Sequence, residues 1–95
     1  MTAYVLFDNV EVSDPDALAA YAKEAAKIVA EHGGRYVVLD AVPEVWEGDP
    51  GLRSVVLIEF PDAESARAWY EDPAYQPLKA IRHGAVQNNA VLISS

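Results

Sequence analysis

The sequence predicts an α+β fold in which strands and helices follow one another in the order β-α-β-β-α-β. Three observations carry this. Two stretches rich in β-branched and aromatic side chains are each followed by a segment whose apolar residues recur at three- and four-residue spacing. A turn signature, Gly48-Asp49-Pro50-Gly51, joins two extended segments with no helical pattern between them. The 95 residues, 52% hydrophobic and 23% charged, suit one globular domain over residues 1–95 and not two.

Taken in order, residues 3–12, AYVLFDNVEV, read as the first strand. Ser13-Asp14-Pro15 starts a helix, because proline keeps Asp14 out of the helical region and itself suits the first helical position. That helix runs to about His32, with Leu18, Tyr21, Ala22, Ala25, Ile28, Val29 and His32 on one stripe and Lys23, Glu24, Lys27 and Glu31 opposite. Gly33-Gly34 ends it through a left-handed cap. Residues 35–42, RYVVLDAV, form the second strand, and residues 44–47 are expected to continue it past Pro43, which cannot donate to a ladder. Arg53 to Phe60 is the third strand, hairpinned to the second. Asp62 caps a second helix that carries Ala63, Ala66, Trp69 and Tyr70 on one stripe to about Glu71, where Asp72-Pro73 breaks it. Residues 74–84 give a short helical segment stopped at Gly84, and Ala90 to Ile93 a last strand.

This order is the split βαβ, or ferredoxin-like, plan: an antiparallel four-stranded sheet with its helices on one face. The run Val55-Val56-Leu57-Ile58 is apolar on both faces of its strand, so the face away from the helices also needs cover. A second copy of the chain supplies it most economically, which predicts a homodimer through the sheet face.

Composition excludes several functions. Seven Lys and Arg against 15 Asp and Glu give a formal charge of -8, the wrong sign for a nucleic-acid binder. The third strand, RSVVLIEF, also lacks the basic-aromatic pattern of an RNA-recognition strand. The absence of cysteine removes disulfides, thiolate metal sites, iron-sulfur ligation and a cysteine nucleophile. The first 12 residues carry Asp8 and Glu11 and no basic segment, unlike a signal peptide, and no apolar run reaches the length of a membrane span. A soluble cytoplasmic protein is expected.

At the level of residues, HGGRYVVLDAVPEVWEG (32–48) and VVLIEFPDAESARAWYEDPAYQPLKAIRH (55–83) resemble the DUF1330 family of small dimeric α/β-barrel proteins. The resemblance rests on Gly33-Gly34-Arg35, Glu47-Gly48, Glu59-Phe60-Pro61, Ala68-Trp69-Tyr70 and Tyr75-Gln76-Pro77-Leu78, and covers nearly the whole chain. It implies the ferredoxin-like fold and a dimeric α/β barrel. The wider superfamily includes cofactor-free monooxygenases, lactone isomerases, polyketide cyclases, haem-degrading enzymes and members with regulatory or structural roles, so fold does not choose among them.

A pocket is expected between the sheet and the inner faces of the helices, and the polar residues that pattern inward are its candidates. Tyr21 is a core tyrosine or a hydrogen-bond donor to a ligand. His32, at a helix C-terminus, is a capping histidine or a general base. Arg82 either pairs with Glu47 or Glu59 or holds a substrate carboxylate. His83, beside Gly84, caps its helix or acts in catalysis. Trp46 and Glu47 lie on an extended arm that reaches toward a second copy, where Glu47 is a proton-transfer group or an edge charge. Trp69, Tyr70 and Tyr75 cluster around a helix break, and Trp69 or Tyr75 lines the pocket or the core. No HxH or HExxH spacing supports a metal site, and no serine elbow supports acyl-enzyme chemistry.

The sequence thus predicts a small-molecule-binding homodimer without a bound cofactor. In an enzymatic form it performs proton transfer, of isomerase, cyclase or lyase type, on a small organic acid, lactone or polyketide-like compound. Glu47, Tyr21, His32 and His83 are then the catalytic candidates, and Arg82, Trp69, Tyr75 and Trp46 the binding candidates. The alternative is a non-catalytic binding or structural module.

Overall fold

The computed structural model describes residues 2–49 and 53–94. Its elements are β1 (Ala3–Val12), α1 (Pro15–Glu31), β2 (Arg35–Ala41), β3 (Ser54–Phe60), α2 (Ala63–Glu71), α3 (Gln76–Ala85) and β4 (Val86–Ser94). The sheet has the order β2-β3-β1-β4 and every pairing in it is antiparallel. This is the ferredoxin-like plan, with its second helical region split into α2 and α3.

The helix starts follow from short polar side chains. Asp14 Oδ1 accepts from the Ala17 N–H at 3.1 Å and Asp62 Oδ1 from the Ser65 N–H at 2.7 Å, satisfying donors that the first helical turn leaves free. At the end of α1, Gly33 takes φ +77° and lets the Gly34 N–H return to the Val29 carbonyl at 2.9 Å. Gly34 is required for another reason: a Cβ there would stand 2.6 Å from Phe60 Cε1. The chain can therefore turn tightly from α1 into β2 across the end of β3.

Residues on β1 alternate between a buried and a less buried side. Ala3, Val5, Phe7 and Asn9 face the helices. Val5 and Phe7 join Tyr21, Ala25, Ile28 and Val29 of α1, Ile58 and Phe60 of β3, and Ala66, Trp69 and Tyr75 in one core. Trp69 is its centre, fully buried, with ring centroids 4.5 Å from Tyr75 and 5.6 Å from Phe60. On the opposite side of the sheet, the register places Tyr4, Leu6 and Asp8 beside Glu59, Leu57 and Val55 of β3 and beside Ile93, Val91 and Asn89 of β4. This second face is mostly apolar and bare of helices, with Val91 and Ile93 each 49% exposed.

Three boundaries depart from the sequence expectation. Residues 44–47 do not continue β2: from Val42 to Asp49 the chain forms no strand and lies exposed, apart from half-buried Pro43. The helical segment is a full helix that passes through Gly84 to Ala85. The last strand begins four residues earlier than Ala90, at Val86. Half of the expected 48–51 turn, Pro50-Gly51, lies outside the described residues, while Gly48 adopts the φ of +78° that such a turn needs. Among the described residues, no helix is long and apolar enough to cross a membrane.

Candidate functional site

A cavity of about 420 Å³ opens between the first half of α1, the strand ends near Asn9, Ser54 and Asn88, and the start of α3's last turn at Arg82. Its walls are mostly apolar, formed by Phe7, Leu18, Tyr36, Leu39, Val56 and Ile58 among others. A volume of this size suits a small organic molecule. A few polar groups are set into it: Asn9, Tyr21, Asp40, Ser54, Arg82 and Asn88.

Arg82 dominates them. It is 3% exposed, on the inward side of α3, with its guanidinium carbon 4.8 Å from the centroid of the Phe7 ring. Nη1 donates to Asn88 Oδ1 at 2.9 Å, Nη2 lies 3.5 Å from His83 Nε2, and Nε finds no acceptor. The expected alternative of an ion pair with Glu59 is not formed, because Glu59 is held by Arg35 at 3.1 Å. Glu47 is exposed on the arm, and among the described residues no carboxylate forms an ion pair with Arg82. Burial opposes the guanidinium charge, but the neighbouring Tyr75 and Tyr21 oxygens outweigh it, so the pKa of Arg82 lies above its ordinary value. The side chain is a permanent, buried cation.

Tyr21 comes from the buried stripe of α1 and meets Tyr75 through a 2.6 Å bond between their hydroxyls. Burial, and after it the proximity of Tyr75, pushes the Tyr21 hydroxyl well above its usual range. It therefore stays protonated, able to donate a hydrogen bond but a weak acid and no base. Tyr36 of β2 is pushed up to about 12, chiefly by burial. Asn9, Asn88 and Ser54 stand in register on β1, β4 and β3. Asn88 Nδ2 donates to Asn9 Oδ1 at 3.2 Å, and Asn9 Nδ2 donates to Ser54 Oγ at 3.2 Å. Asp40 is the carboxylate of the lining, held at φ +53° where the β2–β3 register shifts between Val38 and Ala41.

Of the residues singled out from sequence, the fold brings Tyr21, Tyr75 and Arg82 together. His83 adjoins them but is exposed. His32 sits elsewhere, at the C-terminus of α1, where its Nε2 lies 2.8 Å from Asp72 Oδ2 and ties α1 to the loop after α2. That bond, then the Ala74 N–H, holds the Asp72 carboxyl below its usual range. Trp69 is buried in the core away from the cavity wall, with its Nε1–H unpartnered. Trp46, 85% exposed, donates from Nε1 to Glu44 at 2.6 Å on the arm that also bears Glu47. Asn9, Tyr36, Asp40, Ser54 and Asn88 were not anticipated. Asn9 carried a signal, since alternation from Val5 and Phe7 turns it inward. Asp40 carried none, because its conformation depends on the pairing of β2 with β3. Among the described residues, no group of three or more metal-ligating side chains forms a metal site.

No curated protein matches the chain. Solved structures do. A protein of unknown function from Rhodopseudomonas palustris superposes with a TM-score of 0.71 at 19% identity, over 99% of this chain and 82% of that one. SnoaB, a cofactor-independent oxygenase from Streptomyces nogalater, gives 0.69 at 17% identity, over 99% and 91%. A dimeric ferredoxin-like protein of unknown function from Jannaschia sp. CCS1 gives 0.63 at 13% identity, over the whole of both chains. At these identities the likeness is one of fold. A family profile for a domain of unknown function, DUF1330, matches residues 2–95, and the chain belongs to that family.

Proposed function

We propose that this protein binds a small organic acid in the cavity, with the carboxylate of the ligand on Arg82 and its apolar body against Phe7, Tyr21 and Tyr36. The observation that carries this reading is the buried guanidinium on the wall of an apolar cavity, without a carboxylate partner among the described residues. A buried charge costs several kcal/mol unless it is paired, and a bidentate anion is the partner that matches guanidinium geometry. The Tyr21–Tyr75 pair supplies a hydroxyl donor beside it. Where the bound acid undergoes proton transfer, Asp40, the carboxylate lining the same cavity, takes the proton, and Tyr21 keeps its own and donates a hydrogen bond to the oxygen on which charge develops. His32, His83 and Glu47 do not line the cavity and stay outside that step.

The reading includes a homodimer through the helix-free sheet face, with the arm bearing Trp46 and Glu47 in the contact between copies. The apolar run of Leu6, Leu57, Val91 and Ile93 supports it, as does the dimeric ferredoxin-like neighbour. Native mass spectrometry of the protein as purified and after incubation with aromatic acids, lactones and phenols tests the function. One acid retained per subunit in the wild type and none in Arg82→Met is the expected result. Retention that ignores Arg82, or no retention of any acid, overturns it.

A further inference from the structure

The polar floor of the cavity has a direction. A guanidinium can only donate, so Asn88 must present its carbonyl oxygen to Arg82 Nη1. The Asn88 amide nitrogen then points to Asn9, which must accept through Oδ1. The Asn9 amide nitrogen is left to donate, and its acceptor is Ser54 Oγ. Each amide orientation is forced by the one before it. The chain of donations starts at a fixed positive charge and ends on a hydroxyl. Ser54 Oγ is thereby committed as an acceptor, and among the described residues its own hydrogen has no acceptor. Ser54 lines the cavity, so that hydrogen is free for an oxygen inside it.

Successive bonds in such a chain polarise one another, most strongly where the first donor is charged and the surroundings are apolar. We infer that the Ser54 hydroxyl is a second recognition point of the site, and that the ligand carries an acceptor oxygen, such as a ketone, remote from the carboxylate held by Arg82. This rests on the Arg82 reading above. Asn88, Asn9 and Ser54 occupy three neighbouring strands, so the relay spans about 10 Å at ~4.8 Å per strand spacing. Each donor stands about 3 Å from its acceptor, so the two acceptors of the ligand are a few ångström closer together than the ends of the relay, the span between the substituents of a para-disubstituted aromatic ring.

The test compares two probes of nearly the same outline, 4-acetylbenzoate and 4-isopropylbenzoate, by isothermal titration calorimetry. The wild type is expected to bind the ketone about five- to tenfold more tightly, the effect of one hydrogen bond. Ser54→Ala should bring the ketone down to the affinity of 4-isopropylbenzoate and leave the latter unchanged, while Ser54→Thr, which keeps the hydroxyl, retains the preference. Equal binding of both probes to the wild type, or a preference that survives Ser54→Ala, overturns this inference and leaves the Arg82 reading standing. If neither benzoate binds the folded wild type, or if Arg82→Met binds both as well as the wild type does, the Arg82 reading itself falls.

Discussion

Withdrawing a guanidinium from water is costly, and among the described residues Arg82 has no carboxylate to offset it, only Asn88, the neighbouring Tyr75 and Tyr21 oxygens, a long contact to His83 and the face of Phe7. Arg82→Met keeps most of the side-chain volume and removes the charge, leaving Asn88 short of one donor at a cost of about 1 kcal/mol. Relief of the desolvation offsets that loss. The variant should therefore melt within a few degrees of the wild type, or above it, while losing affinity for organic acids. Collapse of the fold would instead mark Arg82 as structural. A second residue-scale expectation concerns Asp72. Its folded pKa is depressed, first by His32 and then by the Ala74 N–H, so its contribution is present above the unfolded carboxylate pKa of about 3.9. That contribution is lost as pH falls through the depressed folded value. Melting temperatures measured from pH 6 down to pH 2 should converge for wild type and Asp72→Asn at the acid end and diverge toward pH 6; parallel curves would deny the linkage. The inward side chains were unequally legible at this scale. Tyr21 and Arg82 follow from helical spacing and scarcity of cations, whereas no spacing or charge sets the amides of Asn9 and Asn88 apart before β1, β3 and β4 are paired.

Among the elements, β1, α1, β3 and α2 follow from caps and periodicity to within a residue or two. The early half of β4 was hidden because Gln87-Asn88-Asn89 is polar, and it is polar because Asn88 serves the cavity while Gln87 and Asn89 face outward. Tertiary pairing with β1 outweighed weak strand propensity there. Likewise Gly84 stands inside α3, where a Cβ would meet nothing within 4 Å, so the helix continues past it for want of any reason to stop. Residues 44–47 read as a continuation of β2 past Pro43, but among the described residues no neighbouring strand is there to receive them. The α1–β2 junction gives the sharpest element-scale prediction. Gly34→Ala places a methyl against Phe60 Cε1 at 2.6 Å and Val29 Cγ1 at 2.7 Å, both in the packed core. Urea denaturation should show a loss of about 1–3 kcal/mol. An unchanged midpoint would mean that the junction is looser than its packing indicates.

For the molecule as a whole, a chain of 95 residues carrying two apolar sheet faces has helices for only one of them. The uncovered face is continuous across β1, β3 and β4, and Asp8 within it has one carboxylate oxygen buried and unpartnered. The proposed homodimer covers this face with its counterpart on a second copy. Val91 is half exposed in the single chain, so Val91→Arg should leave the fold intact and convert a dimer into a monomer at micromolar concentration in sedimentation velocity. A wild-type monomer, or a variant that stays dimeric, would remove the sheet face as the interface. The cavity lies on the opposite side of the sheet, beneath the helices, so acid binding and dimer formation are separable properties of the two faces. The central claim concerns the first of them, and nitrogen-15 spectra recorded during titration with 4-isopropylbenzoate test it most directly. Saturable shifts of the Arg82 Nε–H and of the Asn88 and Asn9 side-chain amides, absent from Arg82→Met, are predicted; shifts confined to surface amides, or none at saturating probe, would contradict the account.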